Sequence, residues 1–559
     1  MKKILILGAN NSQVQLIQAA KEEGYYVVVC DYANDNPGIP LVDKHYQVSY
    51  LEKDEVLSIA RLEQIDGVIG NTDPAMPVVA YIAEQLGLEG NKPESTNTLI
   101  SKAIFRQLQE RIGMFCPKHI VSDDFSTVET AIKGFEYPLI VKPNVCFGSK
   151  GVTKISRSDQ TEGFKEAFKI CKGLSLDGKV IIEEYIEMPS LEIIEGDVFV
   201  LGDEILWQGL FNIRRSVMAP MVPMTKMFPA ILSQEELSAI KADFTKVFKE
   251  AGIRHGEYNV EMYFTVKGEL FIIEINPRQG GNRIPQLIKT HTGIDFNKLL
   301  VTTAVSDNDY FNRVRNMKPT ANYLSQHIVF SNFSGVLEDV EIKPAIRQYV
   351  TDVEFTRKPG DRINRRNNAT DSIAYVTLQF PDRQTQLAYS REQIEQMIYP
   401  IVKEKELPVA DCTLPYQLIY NFMTGDAYDF FVPKLEKVHR TAADYAEQFS
   451  EYCTIAYDID ENNQLKGMVA GYTHNLRISQ WALIAEIYVN REHRGKGLGE
   501  QLLTRYIKHC KTIGMKGVWL HVWDDNLPAQ HLYQKLGFVF DEPSCEKGLL
   551  TMKLSFDFL

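Results

Sequence analysis

The chain has 559 residues, more than the ~250–300 at which a single hydrophobic core stops growing, so several domains are expected. Its 44% hydrophobic and 24% charged residues are ordinary for a folded protein and exclude extensive disorder. The net charge of −12 argues against a nucleic-acid partner.

No run of roughly 18 apolar residues occurs, so no membrane-spanning helix is predicted. The N-terminus MKKILILG begins like a signal peptide, but its apolar stretch is short and lacks a small-residue cleavage site. The eight cysteines are scattered, with no CxxC pair and no Cys/His metal spacing, which is typical of a reducing compartment. We therefore expect a cytoplasmic location.

Residues 1–94 alternate predicted strands with helices, which indicates a parallel sheet flanked by helices. Buried strands are predicted at KKILILG (2–8), YYVVVCD (25–31) and GVIGN (67–71). The turn after the first strand supplies only Gly8 of a GxGxxG fingerprint, although Asp31 stands where a ribose-binding acid would. We interpret this region as a Rossmann-like domain that binds no nucleotide.

Residues 95–310 combine helices, strands and one loop suited to phosphates. A helix is predicted over 97–112, followed by strand YPLIVKP (137–143), a glycine-bearing loop (144–152), a helix near 159–172 and strand KVIIEEYI (179–186). Backbone N–H groups of such a loop can hold phosphate oxygens. Two further strands form a hairpin around the Lys267-Gly268 turn.

That hairpin carries Glu261, Glu274 and Asn276. The period of two puts Glu274 and Asn276 on one face, and pairing across the hairpin can bring Glu261 beside them. Three oxygen donors on a rigid hairpin suit Mg²⁺ bound to nucleotide phosphates. The alternative is a solvated strand edge, which the apolar residues around EIN disfavour because buried carboxylates need a partner or a metal.

The order of these segments, from a lysine through PLIVKP, the glycine-rich loop and EEYI to EINPR, resembles the ATP-grasp superfamily over roughly residues 1–400. The resemblance implies a carboxylate activated by ATP as an acyl phosphate and then captured by an amine. It implies that Lys102 and Lys142 contact phosphates, that Glu261, Glu274 and Asn276 hold Mg²⁺, and that Arg278 stabilises the acyl phosphate or its tetrahedral successor. It implies further ATP contacts at Gly148, Ser149 and Gly151 of the loop, at Glu183, Glu184 and Ile186 around adenine, and at Glu192 near ribose.

Residues 311–404 are rich in strands and are similar to the C-terminal lobe of biotin-carboxylase-like and L-amino-acid ligases. No Met-Lys-Met biotinylation signal follows, which disfavours carboxylation through a biotin carrier within this chain. A carboxylase-like enzyme that activates bicarbonate remains an alternative to the amine ligase.

Residues 405–559 predict a separate α/β domain, in which Arg494-Gly495-Lys496-Gly497-Leu498-Gly499 follows a strand and opens a helix. A glycine loop at a helix N-terminus presents free N–H groups and a positive dipole end to a pyrophosphate. With Asn526 and Tyr533, the segment resembles the GNAT N-acetyltransferases, which implies acetyl-CoA as cofactor. The resemblance implies pantetheine pairing with the backbone from Ile487 to Val489, with Asn526 helping to place it, and proton donation to the CoA thiolate by Tyr533.

Glu486, on the same strand as Ile487, is the candidate general base because an amine must lose a proton before attack. A strand carboxylate without catalytic role is the alternative for Glu486, and a core aromatic is the alternative for Tyr533. A non-catalytic acyl-CoA sensor is the alternative for the whole domain.

The fold class expected is therefore multidomain α/β: a Rossmann-like pre-ATP-grasp domain, α+β ATP-grasp lobes, a small β-rich lobe and a GNAT α/β domain. The expected partners are small-molecule carboxylate and amine substrates, with no nucleic acid or membrane and with a homodimer as one possible assembly.

Overall fold

The computed structural model has the mixed α/β class that the sequence predicts. Its residues cluster in two compact units, the first comprising 1–215, 224–326 and 378–390 and the second 216–223, 327–377 and 391–559. Within the part of the chain described here, no helix is long and apolar enough to cross a membrane. The structure describes residues 1–148, 150–155, 161–190, 192–216, 222–318, 323–366, 368–406, 409–411, 416–425, 427, 441–460, 464–473, 481–541 and 548–556.

A four-stranded parallel sheet of order β3-β2-β1-β4 begins the first unit. The strand β3 was not predicted because its three residues, KHY, carry no apolar alternation. The carboxylate of Asp31 accepts hydrogen bonds from the backbone N–H groups of Ala9 (2.8 Å) and Ala33 (2.9 Å), so the chain's own turns use it. The elements are β1 (Lys3–Leu7), α1 (Val14–Glu22), β2 (Tyr26–Cys30), β3 (Lys44–Tyr46), α2 (Lys53–Glu63), β4 (Gly67–Ile69) and α3 (Met76–Leu86).

The single helix predicted over 97–112 is wrong, since two helices, α4 (Pro93–Ile100) and α5 (Lys102–Arg111), meet at Ser101. Ser101 has an extended backbone, and its side-chain oxygen accepts the N–H of Ile104 as an N-cap. The side-chain oxygen of Asn144 accepts the N–H of Ala103 at 2.8 Å. The break places Lys102 on the first residue of α5, beside the loop that begins at Asn144.

A small antiparallel sheet of order β5-β8-β6-β7 carries that loop between two of its strands. Val128, Leu139, Phe168 and Ile182 belong to the core between this sheet and its helices. Its elements are β5 (His119–Ser122), α6 (Phe125–Ala131), β6 (Leu139–Pro143), β7 (Thr153–Ile155), α7 (Thr161–Leu174) and β8 (Val180–Glu184).

A larger sheet with the neighbouring strands β13-β12-β9-β10-β11 supports the predicted metal hairpin. Phe244 of α8 packs in one core with Val260 and Ile272 of the sheet, whereas Ile288 of α9 packs in another with Phe211. The helix α8 starts with a Ser233–Glu236 capping box and ends at Gly252. The elements are β9 (Glu192–Leu201), β10 (Glu204–Arg215), β11 (Pro223–Phe228), α8 (Gln234–Ala251), β12 (His255–Phe264), β13 (Leu270–Asn276), α9 (Ile284–Thr292), α10 (Phe296–Ala304) and α11 (Asp309–Val314).

The strand-rich segment that follows includes a three-stranded sheet of order β17-β15-β19 in the second unit. Two other strands of this segment, β14 and β18, have residues in both units. The elements are β14 (Tyr323–Val329), β15 (Ser334–Ile342), α12 (Pro344–Arg347), β16 (Val350–Phe355), β17 (Arg362–Ile363), β18 (Ala374–Phe380), α13 (Arg383–Leu387), α14 (Ile394–Met397) and β19 (Ile398–Glu406).

The C-terminal part of the second unit forms a seven-stranded sheet of order β20-β21-β22-β23-β24-β26-β25. Its strands are antiparallel except for the parallel pair β23–β24. The apolar face of α17, with Leu502 and Tyr506, packs onto it. The elements are β20 (Val409–Asp411), α15 (Tyr416–Thr424), α16 (Ala442–Tyr452), β21 (Thr454–Ile459), β22 (Leu465–Tyr472), β23 (Trp481–Val489), α17 (Leu498–Thr512), β24 (Gly517–Trp523), α18 (Leu527–Lys535), β25 (Val539–Phe540) and β26 (Leu549–Ser555).

Candidate active sites

Three buried charged side chains of the first unit meet at Glu183, at the end of β8. Its carboxylate accepts a hydrogen bond from Arg106 Nε at 2.7 Å and another from Lys142 Nζ at 2.6 Å, and its residue is 1% exposed. Burial opposes its charge, but these two cations together hold the pKa of Glu183 well below its usual range. Burial lowers the pKa of Lys142, an effect that Glu183 opposes. The network carries one net positive charge when all three groups are ionised.

Arg106 was not among the residues that the sequence analysis selected. Its guanidinium also donates to Gln109 Oε1 at 2.6 Å and to the backbone carbonyls of Ile272 (3.0 Å) and Ile273 (3.1 Å). It therefore joins α5 to β13 as well as to β8. The sequence holds one signal for Arg106: it lies four residues after Lys102, so the two side chains are neighbours on one helix face.

We expect Arg106→Met to destabilise the first unit strongly. The substitution keeps an apolar side chain of similar reach but leaves Glu183 with one cation and removes the donors to the carbonyls of Ile272 and Ile273. Breaking a buried ion pair from one side costs about 3–5 kcal/mol. Urea unfolding followed by circular dichroism measures the loss, with Arg111→Met, at the exposed end of the same helix, as the matched control. Equal unfolding midpoints for the two variants would contradict the assigned role.

Lys102 lies between the loop after β6 and the predicted metal hairpin. Its backbone N–H donates to the carbonyl of Asn144 at 3.2 Å, and its ammonium donates to the carbonyl of Cys146 at 3.4 Å. A single cavity is lined by Lys102, Cys146 and Phe147 on one side and by Glu274 and Asn276 on the other. The structure thus brings one predicted phosphate contact together with two predicted metal ligands.

The glycines of the loop adopt the left-handed conformation that favours glycine. Gly148 has φ +75° and open space where a Cβ would stand, and Gly151 has φ +76° with a side chain of Leu174 within 2.8 Å of that point. Ser149 lies outside the described residues. Cys146 and Phe147, which are bulky for such a loop, line the cavity beside Lys102.

The three predicted metal ligands lie on facing strands. In the register of β12 with β13, Glu261 stands opposite Glu274, and Asn259 stands opposite Asn276. The side-chain N–H of Asn276 donates to Glu274 Oε1 at 3.0 Å. A bulge follows the Glu261–Glu274 pair, where the next residue of β12 pairs with Ile272. The register therefore puts the three oxygen-bearing side chains on one face of the hairpin.

Different charges act on the two carboxylates. Burial raises the pKa of Glu261 to about 8, although Arg215, whose guanidinium donates to its Oε2 at 2.8 Å, opposes the rise. Burial also acts on Glu274, but Lys102 and the hydrogen bond from Asn276 outweigh it and lower its pKa. The two acids differ in proton affinity because lysine charges act on Glu274, whereas the neighbouring carboxylates of Glu195 and Glu274 add to the rise at Glu261.

Arg278 is connected to the N-terminal sheet by Asp73, which lies just after β4. The Nε of Arg278 donates to Asp73 Oδ1 at 2.9 Å, and its NH1 donates to the carbonyl of Gln279 at 2.9 Å. Burial opposes the charge of Arg278, yet Asp73 and the nearby carboxylates raise its pKa. Asp73 could have been suspected from sequence, since ligands of open α/β sheets gather at the carboxyl ends of strands.

The residues predicted around adenine and ribose lie along β8 and the chain that follows it. Glu184 Oε1 accepts the N–H of Glu136 at 2.8 Å, and the carbonyl of Ile186 accepts the hydroxyl of Tyr263 at 2.6 Å. Glu192 is half-buried at the start of β9. The carboxylate of Glu183 is engaged by two cations, and the residue lies in register with β5 on one side and β6 on the other.

A second group of buried charges adjoins the hairpin and was missed by the sequence analysis. Glu195 stands opposite Glu261 in the register of β9 with β12. Asp197 accepts the N–H of Gly280 at 2.9 Å, and the ammonium of Lys226, which is 0% exposed, donates to the carbonyl of Asn282. Burial lowers the pKa of Lys226 to about 7. Asp197 and Lys226 thus fix two points of the loop that follows Arg278.

In the second unit, β23 diverges from β24 beside the predicted acetyl-CoA site. The two strands pair through Trp481–Ile484, while Ile487 and Val489 pair with β22 on the other side. A bulge lies immediately before Glu486, which is 9% exposed. The divergence opens the sheet beside the backbone that the resemblance assigns to pantetheine.

The glycine loop lies at the N-terminus of α17. Gly495 (φ +72°) and Gly497 (φ +79°) adopt left-handed conformations, and Gly497 is the N-cap with no side-chain cap bond. The N–H groups of the first turn and the helix dipole therefore face the loop. Arg494 Nε donates to the carbonyl of Val489 at 2.8 Å, which ties the loop to β23. Lys496 is exposed, and Leu498 and Gly499 begin the helix, where Gly499 faces Val489.

Gly497→Val is expected to weaken acetyl-CoA binding to the full-length protein by roughly tenfold or more. A branched side chain is strained at positive φ and covers the N–H groups that an anion would approach. Gly514→Val is the matched control, because Gly514 has φ +80° and open surroundings at the other end of α17. Isothermal titration with acetyl-CoA separates the two variants. An affinity loss common to both would point to helix damage and contradict a local anion site.

Tyr533 lies near Glu486, which is on β23 just beyond the part that pairs with β24. Tyr533 is 7% exposed, and burial followed by the charge of Glu486 raises its pKa to about 12, so its hydroxyl keeps its proton at neutral pH. Asn526 is the N-cap of α18 and accepts the N–H of Ala529 at 3.3 Å. The pair Tyr533–Glu486 thus offers a proton donor and an acceptor in one buried place.

Two family models match this chain. Residues 135–286 match the ATP-grasp domain, and residues 419–538 match the Acetyltransferase (GNAT) family. The chain therefore joins an ATP-grasp domain to a GNAT-family domain, which confirms both resemblances. The first match includes Glu183 through Arg278, whereas Lys102 and Asp73 lie outside it.

The chain is also similar to a curated protein and to two solved structures. The carbamoyl phosphate synthase large chain of Campylobacter jejuni is 24% identical over 371 residues, which cover 60% of this chain and 33% of that protein. The crystal structure of the L-amino acid ligase of Bacillus licheniformis aligns with a TM-score of 0.60 at 20% identity, covering 72% of this chain and 99% of that one. The biotin carboxylase domain of Hydrogenobacter thermophilus 2-oxoglutarate carboxylase, in complex with MgADP and bicarbonate, aligns with a TM-score of 0.54 at 17% identity over 79% of this chain and 99% of that one. The two structural likenesses concern the fold.

Proposed function

We propose that this chain is a bifunctional enzyme: an ATP- and Mg²⁺-dependent carboxylate–amine ligase joined to an acetyl-CoA-dependent N-acetyltransferase. The observation that carries the ligase half is the cavity that Lys102, Glu274 and Asn276 line together. ATP-grasp domains use ATP and Mg²⁺, and GNAT domains use acetyl-CoA. An amino acid or dipeptide-like metabolite is the proposed substrate of both halves.

The donor set at the hairpin fits a magnesium ion. Glu261, Glu274 and Asn276 would hold it with two carboxylate groups and one amide oxygen, the hard ligands that Mg²⁺ prefers beside nucleotide phosphates. Bound Mg²⁺ and ATP supply a transferable phosphoryl group and neutralise its charge. The amide of Asn276 donates to Glu274, so its oxygen is free to turn toward a cation.

The cationic residues of the first unit position and stabilise negative charge. Lys102 at the start of α5 and Lys142 in β6 would approach the phosphate region from different elements, and the ammonium of Lys142 donates to Glu183. Arg278, held by Asp73, presents a fixed guanidinium on the substrate side of the hairpin. Preorganised charges of this kind contribute most where charge develops in the transition state.

In the second unit, the glycine loop would bind the pyrophosphate of acetyl-CoA and the edge of β23 its pantetheine arm. Glu486 would accept a proton from the attacking amine, directly or through water, and Tyr533 would donate one to the departing thiolate. The raised pKa of Tyr533 supports this role because the donor must be protonated at neutral pH.

The second candidate for the first unit is a carboxylase-like enzyme that activates bicarbonate. It is favoured by the fold shared with a domain solved in complex with MgADP and bicarbonate. For the second unit, the other candidate is a non-catalytic acyl-CoA sensor that regulates the ligase.

A screen of ATP-dependent phosphate release tests the ligase proposal. The full chain is incubated with Mg²⁺ and pairs of amino acids, and with bicarbonate alone or with single amines. Release that requires both a carboxylate and an amine, with an amide product in the mass spectrum, supports the ligase. Phosphate release with bicarbonate and without a second carboxylate supports the carboxylase and overturns the ligase proposal.

A further inference from the structure

A cluster of metal-binding side chains lies outside both proposed active sites, where α5 leads into β5. Glu110 Oε1 lies 3.6 Å from His119 Nδ1, and Cys116 Sγ lies 3.9 Å from the same ring nitrogen. One ligand atom from each of the three residues lies within 4.8 Å of the others. The expectation of no Cys/His metal spacing is wrong at one place, because Cys116-Pro117-Lys118-His119 is a Cys-x-x-His segment.

We propose that Glu110, Cys116 and His119 form a binding site for a borderline-soft divalent cation, with Zn²⁺ as the natural occupant. Zinc bonds of ~2.0–2.3 Å in tetrahedral geometry place two ligand atoms ~3.3–3.6 Å apart. The observed separations of 3.6 and 3.9 Å need only small side-chain adjustments to reach that range. A thiolate, an imidazole and a carboxylate with one open position suit zinc better than magnesium or calcium, which prefer oxygen ligands.

The surroundings orient these atoms and leave access for an ion. Without a metal, a proton on His119 Nδ1 is donated to the carbonyl of Pro117 at 3.2 Å, and metal binding requires this proton to move to Nε2 so that the Nδ1 lone pair can reach the ion. The ammonium of Lys118 donates to the carbonyl of Gly134 and lies over the ring of Phe135, so the adjacent positive charge points away. The side chain of Glu110 is 58% exposed, which gives an ion a path from solvent.

Metal binding would alter few bonds of the protein but would link three of its elements. The thiol of Cys116 releases its proton to solvent as the metal–sulfur bond forms, and the negative charges of Glu110 and the thiolate balance the cation. The bound ion would connect the last turn of α5, the segment before β5 and the first residue of β5. Cys116 Sγ also contacts the carbonyl of Arg106 at 3.8 Å, so the site lies next to the buried ion pairs of Glu183.

Titration of the full-length protein with Co²⁺, without nucleotide, tests the site. A thiolate-to-cobalt charge-transfer band at one equivalent, displaced by Zn²⁺, is expected for the wild type and for Cys146→Ser, a control cysteine of similar exposure. Cys116→Ser should lose the band, and His119→Gln should weaken cobalt binding by roughly tenfold or more. Absence of the band in the wild type, or its persistence in Cys116→Ser, overturns the proposal.

Two further measurements keep the result independent of folding and of the ATP site. Zn²⁺ should raise the melting temperature of the wild type and of Glu274→Gln, but not that of His119→Gln. Because the oxygen ligands of the hairpin cannot produce a sulfur-to-metal band, Glu274→Gln should keep the cobalt spectrum whatever its ligase activity. Loss of the band in Glu274→Gln would overturn the assignment of the ion to Cys116.

Discussion

Glu274→Gln is expected to lower ATP turnover by roughly a hundredfold or more, the scale of removing one preorganised electrostatic contact from a reacting group. The substitution keeps the volume of the side chain and the hydrogen bond from Asn276 but removes the charge that Mg²⁺ requires. The same charge is balanced by Lys102, so the change leaves a lysine facing an amide. The measurement is steady-state ADP production in saturating ATP with varied Mg²⁺.

Glu269→Gln is the control for this prediction. Glu269 is exposed in the turn of the same hairpin, so the substitution changes the same charge on the same element without touching the cavity. We expect it to keep wild-type turnover. Circular dichroism and melting temperature should show that both variants fold. Near-wild-type ADP production by Glu274→Gln, with an unchanged Mg²⁺ dependence, would disprove the metal assignment.

The sequence predicted those parts of the site whose geometry follows from local periodicity. Glu274 and Asn276 share a face because they are two residues apart on one strand, and the Lys267-Gly268 turn brings Glu261 within reach. The position of the glycine loop before α17 was evident in the same way, since Gly495 and Gly497 separate a strand from an amphipathic helix. These patterns depend on neighbours within about 20 residues.

The residues that sequence reasoning missed act over long distances along the chain. Arg106 binds Glu183, 77 residues away, and Asp73 binds Arg278, 205 residues away. Glu195 faces Glu261 because β9 and β12 are neighbours in the sheet, an adjacency that period-two patterns do not specify. Their partners could be identified only after the topology was known.

One local prediction was also wrong for an identifiable reason. Asn97–Ile112 carries an amphipathic pattern, but Ser101 competes for backbone hydrogen bonds and caps a new helix. The extended conformation at Ser101 turns the start of α5 toward Asn144, whose side chain binds the N–H of Ala103. The break places Lys102 at the cavity rather than inside a continuous helix.

Tyr533→Phe separates a catalyst from a sensor in the second unit. If Tyr533 donates a proton to the CoA thiolate, its loss should lower acyl transfer by ~10²–10⁴-fold. The affinity for acetyl-CoA should change little, since the pyrophosphate loop and the backbone of β23 remain intact. Tyr506→Phe is the control, because Tyr506 is another buried tyrosine of the same domain, on α17.

The assay is the release of CoA thiol from acetyl-CoA, followed across a panel of amines with and without the ligase substrates. An enzyme gives amine-dependent release in the wild type and in Tyr506→Phe, and strongly reduced release in Tyr533→Phe. A sensor gives no thiol release with any amine, while acetyl-CoA changes the rate of ADP production in all three proteins. The placement of Glu486 beside the buried Tyr533 favours the enzyme. The charge of Glu486 contributes to the raised pKa of Tyr533, and binding of acyl-CoA alone does not require such an interacting pair of titratable groups where β23 and β24 diverge.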